Sequence, residues 1–252
     1  MRKLPLFLLL TLITVPAFTA LSADTTPQTA DEVVERHLAA MGGREALGKL
    51  TSRKGTGSVS VATEAGEFSG TVEVYAKAPN KSRALLTLDL SAFGAPEPMV
   101  IDQRFDGTSG IAKNNLQGDM PITGSQLDNM KNNAFPTNLL NYKEQGTTIE
   151  LLPKEMVGGR ELVVLQMTPK VGSVAKLYLD PETWLLVQST AKVSSPETGE
   201  LEQVSTASDY RTVDGVKVAF QVVNSNALQS VTLKLTTVEH NVALDDAMFG
   251  GL

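Results

Sequence analysis

From Arg53 onward, apolar and polar residues alternate with a period of two through most of the chain. Val59 and Val61 alternate with Ser58, Ser60 and Ala62. Val72, Val74 and Ala76 alternate with Glu73, Tyr75 and Lys77, and Leu86, Leu88 and Leu90 with Thr87 and Asp89. The rhythm returns at Val163, Leu165 and Met167, at Leu177 and Leu179, and at Val231, Leu233 and Leu235. Such alternation gives each strand one apolar and one wet face, the pattern of an antiparallel sheet. Turn signals separate the runs: Ala65-Gly66, Ala78-Pro79-Asn80, Asp106-Gly107, Gly158-Gly159, Asp180-Pro181, Glu197-Thr198-Gly199 and Asp214-Gly215. Spacing of this kind predicts roughly ten to twelve strands.

Two stretches follow a helical period instead. Thr29 with Glu32 fits a capping box, and Val33, Val34, His37, Leu38 and Met41 then share one face. Gly42-Gly43 ends that helix, and Arg44 to Leu50 forms a second short piece. Between Gly110 and Gly146 the alternation stops. Ser125–Phe135 reads there as an amphipathic helix carrying Leu127, Met130, Ala134 and Phe135, with Gly124 before it and Pro136 after it. No linker divides the chain, so residues 24–252 are expected to form a single, mainly β, α+β domain. Its order is N-terminal helix, strands, central helical insert, strands.

The first 23 residues read as a targeting segment. Arg2 and Lys3 precede an apolar run from Leu4 to Val15. Pro16 and the small residues Ala20, Ser22 and Ala23 follow it. This is the three-part pattern of a secretory signal peptide, cleaved near Ser22 or Ala23, so the mature protein is expected to be exported, to the periplasm or out of the cell. The run is shorter than the ~20 residues that span a bilayer.

Composition narrows the chemistry. There is no cysteine, which removes disulfides, thiolate metal sites, cysteine catalysis and a lipid-modified N-terminal cysteine. The two histidines, His37 and His240, are far apart in sequence. A net charge of −6 gives no basic field for nucleic acid. His37 lies on the apolar helix face and reads as a buried, hydrogen-bonded histidine rather than a ligand. Glu239-His240 reads as a solvated pair rather than a weak metal site. Asp31, Glu32 and Glu35 suit the positive end of the first helix. No pair of carboxylates shares a recognisable cleft, so no catalytic residue, cofactor or metal is expected.

A sheet of ten or more one-sided strands must curl or split. Its apolar face can meet a second sheet, close into a barrel, or be covered in part by the helices. Partial cover leaves an aliphatic cavity suited to acyl chains, and full cover leaves a packed core. The candidate wall positions are Val72, Val74, Leu86, Leu88, Val163, Leu165, Leu177 and Leu179. Phe93, in the loop Ser91–Pro98, is a lip of the cavity or a loop anchor. Leu127, Met130 and Phe135 are a lid or plain core, and methionine's pliancy suits a surface that repacks around different lipids. Trp184 is core or faces the cavity.

Four segments carry a resemblance. They are the helix region Ala30 to Leu50, the run Tyr178-Leu-Asp-Pro-Glu-Thr-Trp-Leu-Leu-Val, the stretch Ser208 to Phe220, and Val238 to Phe249. Together they resemble the LolA/LolB-like superfamily of periplasmic lipoprotein carriers, and in particular its LolA-like outer-membrane lipoprotein-sorting proteins. The resemblance spans roughly residues 30–249. It implies a half-open antiparallel barrel with a helical lid. It implies a non-enzymatic carrier that takes lipoprotein acyl chains or lipid to the outer membrane. Transient envelope membrane-protein partners and a monomeric carrier are part of the same expectation. The family's best-known carrier holds its lid with an arginine, and Arg83 and Arg104 are the candidates here by strand location. A non-enzymatic interaction or sensor domain of the same fold, without lipid exchange, is the alternative.

Overall fold

The structure, a computed structural model, describes residues 27, 29–195 and 199–250. The signal peptide expected at residues 1–23 lies outside the described residues.

The chain enters through helix α1 (Ala30–Ala40), opened by the expected capping box: Thr29 Oγ1 accepts from Glu32 N, and Glu32 Oε2 accepts from Thr29 N. Two backbone donors at the helix start are thereby satisfied. Helix α2 (Arg44–Gly48) follows at once. Gly42 makes this turn possible. Its φ is +121°, and a Cβ there would lie 2.5 Å from Gly215 O. The same close approach lets Lys217 N donate to Met41 O, docking the end of α1 on a later strand.

Six strands form a first meander: β1 (Ser52–Thr63), β2 (Gly66–Lys77), β3 (Lys81–Asp89), β4 (Met99–Phe105), β5 (Gly110–Asn114) and β6 (Met120–Ile122). Helix α3 (Gly124–Asn132) and an irregular segment to residue 147 come next. A second meander comprises β7 (Thr148–Val157), β8 (Arg160–Thr168), β9 (Ala175–Leu179), β10 (Leu186–Ser195), β11 (Gly199–Val213), β12 (Val216–Ser225) and β13 (Gln229–His240). One antiparallel sheet results, in the order β6-β5-β4-β3-β2-β1-β13-β12-β11-β10-β9-β8-β7. Each strand pairs with its sequence neighbour except at the join. There β1 meets β13 from Arg53↔His240 to Thr63↔Gln229. A bulge after Thr56 interrupts the join, and Gly57 accommodates it: a Cβ there would lie 2.0 Å from Lys234 O.

The sheet does not close. Its edges are β6, three residues long and containing Pro121, and β7, whose pairing shifts across Pro153. Proline and a bulge both discourage a further strand from adding. The architecture is an open, mainly β half-barrel with few helices.

Thirteen strands exceed the ten to twelve expected. Strands β5 and β6 lie where the alternation stops, and at five and three residues they are too short to show a period. Helix α3 also ends earlier than Phe135. Asn133 turns out of helical conformation at ψ 89°, and Phe135 precedes Pro136, a position where helical backbone is disfavoured.

Helices α1 and α2 lie on the inner face of the second meander. Val33, Val34, Leu38 and Leu47 pack with Val163, Leu165, Leu177, Leu179, Val216, Val218 and Phe220 in the main core. After β13 the chain crosses the outer face of the first meander. Ser52 Oγ donates to Val242 O, Lys77 Nζ to Leu244 O, and Arg104 Nη1 to Gly250 O, while Asp246 pairs with Lys77 and Lys81. This strap fixes the strands that carry the uncovered inner face.

Leu38 is fully buried, so Leu38→Ala should cost ~2–5 kcal/mol by leaving a cavity under α1. Leu228→Ala, at a residue 51% exposed, should stay within ~0.5 kcal/mol of the parent. Urea unfolding of the two variants checks both values.

Candidate functional site

The helices cover only one half of the inner face. Over the other half, Val59, Val72 and Leu88 are buried by their strand neighbours. Val61, Val74, Leu86, Met99, Ile101, Val231 and Leu233 around them are half-buried. Along β13 the inner positions 229, 231, 233 and 235 form one file, and a cavity lies at each end of it. A cavity of about 310 Å³ has Leu233 and Leu235 in its wall, with Val74, Val218, Phe220, Val222, Met41 and Leu47 around them. Pro136 and Arg53 complete one side. The other cavity, about 530 Å³, lies between α3 and the strand ends at Gln229, Leu228, Leu201 and Val193. Its wall is rich in amides: Gln126, Asn129, Asn133, Gln203 and Asn226.

The residues expected from sequence separate into two groups. Val72, Val74, Leu86 and Leu88 share the half-covered face of the first meander, and Val74 lines the smaller cavity. Val163, Leu165, Leu177 and Leu179 are at most 8% exposed and pack beneath α1. Period-two alternation identifies the inner face but not which part a helix covers. The wall residues on β12, on β13 and in the α1–α2 region were not singled out. The signal for β13 is present in Val231, Leu233 and Leu235. Phe93, 50% exposed, rests on Gly66 and stacks against Phe68 with centroids 4.6 Å apart, at the far tip of the β1–β2 hairpin. Trp184 packs in the β9–β10 turn and lines a separate 290 Å³ pocket with Pro27, Leu151 and Pro181. Its carbonyl accepts from His37 Nδ1 at 2.8 Å, so His37 carries a proton on Nδ1.

Helix α3 spans the opening between the two halves. No residue in it is fully buried; Leu127 and Met130 are half-buried. Side-chain bonds join it to the surrounding strands and loops. Gln103 Nε2 reaches Met130 Sδ at 3.8 Å, Ser173 N donates to Asn129 Oδ1 at 2.7 Å, and Asn132 Nδ2 donates to Val171 O. The chain after α3 is held more firmly. Leu139 and Tyr142 join the main core, with Phe135 packed against it. Tyr142 and Lys143 both bond Asp31 of α1, and these partners hold the Asp31 carboxyl below its usual range. The central insert therefore consists of a helix with no fully buried residue and a stem anchored in the core.

Arg53 lies where the stem meets the smaller cavity. Its Nε donates to His240 Nε2 at 3.0 Å, and its guanidinium stands 5.3 Å from the Phe135 ring centre. His240 accepts with Nε2, so its Nδ1 carries the proton and faces Asp214 Oδ2 at 3.2 Å. This corrects the reading of His240 as part of a solvated pair: its side chain is 1% exposed. Position 240 pairs with Arg53 across the β1–β13 join and so falls on the inner face, a contact local sequence does not show. Burial pulls the Arg53 guanidinium down to about 10. Burial and then the Arg53 charge hold His240 below its ordinary value of 6.5, partly offset by Asp214. Arg83 and Arg104, the expected lid arginines, sit on the outer face and share Asp102, with contacts of 2.8 and 2.6 Å. The arginines that contact the central insert are Arg53, at the Phe135 ring, and Arg44, at Leu140 O. Among the described residues, no three His, Asp or Glu side chains gather as a metal site would require.

No family model matches the sequence, and no curated protein matches it. Solved structures do. A LolA superfamily protein from Nitrosomonas europaea aligns with a TM-score of 0.57 at 15% identity, over 89% of this chain and 99% of that one. A domain assigned to the outer-membrane lipoprotein-sorting proteins, from Vibrio parahaemolyticus, aligns at 0.55 and 12% identity, over 86% and 94%. A DUF1329 family protein from Desulfovibrio piger aligns at 0.55 and 13% identity, over 87% and 96%. The chain has a LolA-like fold.

Both histidines are held below 6.5 in the folded protein, His37 by burial against its bond to Trp184. Below that pH the unfolded chain binds more protons than the folded one, so stability falls as pH drops. The urea midpoint should be flat above pH 7.5 and decline toward pH 5.5. A His37→Gln/His240→Gln double variant should lose much of that slope. A pH-independent midpoint in the parent would contradict these assignments.

Proposed function

We propose that the protein is an exported, non-enzymatic carrier of the envelope. It shelters acyl chains of lipoproteins or lipid in the half-barrel and delivers them to the outer membrane. The observation that carries this reading is the unequal cover of the inner face. Helices fill the second meander, whereas the aliphatic face of β1–β4 and β13 is half-covered, with cavities along it. Removing methylenes from water supplies the drive, about 0.8 kcal/mol for each one buried. Such a drive makes release slow unless the site opens. Helix α3, with no fully buried residue and opened by Gly124 at φ +58°, is the element suited to opening. The LolA-like fold supports this assignment, and so do the exported leader and periplasmic setting expected from sequence. Transient membrane-protein partners would then receive or hand over the cargo.

Native mass spectrometry of protein purified from the envelope should show co-purified lipid, and a hydrophobic fluorophore should bind saturably. Leu233→Asp, in the cavity wall, should weaken probe binding at least tenfold, and Met130→Asp, on α3, by a smaller factor. Absence of lipid and of saturable binding would overturn the carrier reading. Unchanged affinity in folded Met130→Asp would remove α3 from it.

A further inference from the structure

The smaller cavity has aliphatic walls and a cationic end. Arg44, Arg83, Arg104, Arg160 and Arg211 each pair with a carboxylate. Among the described residues Arg53 has no carboxylate partner: it bonds the neutral His240 ring, through Nε alone. The acid nearest to it in this network, Asp214, bonds the far side of that ring and is 64% exposed. The wall of the cavity includes a second cation, Lys217, and no Asp or Glu. Leaving a guanidinium in apolar surroundings without a counter-charge is costly, and the cost is recovered when an anion arrives. Paired oxygens match the fork of guanidinium donors that Arg53 leaves unused.

The shape limits what brings that anion. At about 310 Å³ the cavity stands at the low end of ligand pockets, ~300–1,000 Å³, room for one chain rather than two. From Leu235 the file of inner positions on β13 leads through Leu233 and Val231 to Gln229 at the larger cavity. At ~3.3 Å per residue this file is about 20 Å long, the length of a long acyl tail. The amides at its far end carry no charge and compete little for an anionic group.

We propose that the hollow takes a single acyl chain ending in an anionic oxygen group, a carboxylate or an alkyl phosphate. The oxygens sit on Arg53, and the tail runs along β13 toward the amide-rich mouth. This assignment rests on the acyl-binding reading above and adds to it the class and orientation of the ligand.

Calorimetric titration of the delipidated mature protein at pH 8 with dodecanoate, dodecyl phosphate and dodecanol tests it. Hydrogen bonds to a charged group predict that an anionic ligand binds roughly ten- to hundredfold tighter than the alcohol. Dodecanoate against dodecyl phosphate identifies which anion is preferred, and inorganic phosphate alone should not bind. Arg53→Met should bind acid and alcohol alike, with alcohol affinity kept. Arg53→Lys should retain part of the preference. Equal affinity of the parent for acid and alcohol overturns the anionic assignment and leaves the carrier reading standing. Failure of all three amphiphiles to bind overturns both. A preference that survives in folded Arg53→Met removes Arg53 from the site.

Discussion

The pairing of β1 with β13 is the constraint on which the rest of the molecule depends. It joins two meanders, separated by the whole central insert, into one thirteen-strand sheet. It also places Arg53 opposite His240 and brings the aliphatic file of β13 beside the inner face of β1 and β2. Each meander alone would carry an apolar face needing its own cover. Joined and curled, they share one concave surface, and α1 and α2 are long enough to fill only the part near β7–β12. The hollow is the remainder. It exists because a broad one-sided sheet has more inner surface than sixteen helical residues can cover.

Sequence conveys much of this. The capping box at Thr29 and Glu32, the face of Val33, Val34 and Leu38, and the alternation at Val59, Val72, Leu86, Val163 and Leu177 depend on neighbours a few residues away. These elements form as their patterns require. Strands β5 and β6 are too short for a period, and the end of α3 is set by Asn133 and by Phe135 before proline. The site is less legible because it depends on distant pairing. Alternation assigns Val74 and Leu165 equally to the inner face, yet one borders a cavity and the other lies under α1. Glu239-His240 looks solvated until the β1–β13 register turns His240 inward against Arg53. Strand position made Arg83 and Arg104 equivalent candidates for contact with the insert. Asp102, between them on the outer face, occupies both.

The electrostatics fit the same division of labour. Ion pairs on the outer face, Arg83 and Arg104 with Asp102 and Lys77 and Lys81 with Asp246, brace the strands of the uncovered half and leave its inner side apolar. Bonds from Asp31 to Tyr142 and Lys143, and from Arg44 to Glu35 and Leu140 O, tie the stem of the insert to α1 and α2. The part of the insert with no fully buried residue is α3, above the hollow. Bracing thus lies around the cavity and the shallowest packing at its entrance, an arrangement that suits reversible capture of a chain water will not hold.

The central claim is that an acyl chain occupies the uncovered half of the inner face and not the half beneath α1. Methyl NMR with a spin-labelled acyl chain tests it most directly. Broadening confined to Val74, Leu233, Leu235 and Met130, with Leu165 and Leu179 unaffected, is the predicted result. Broadening centred on Leu165 and Leu179, or none at saturating ligand, would contradict it.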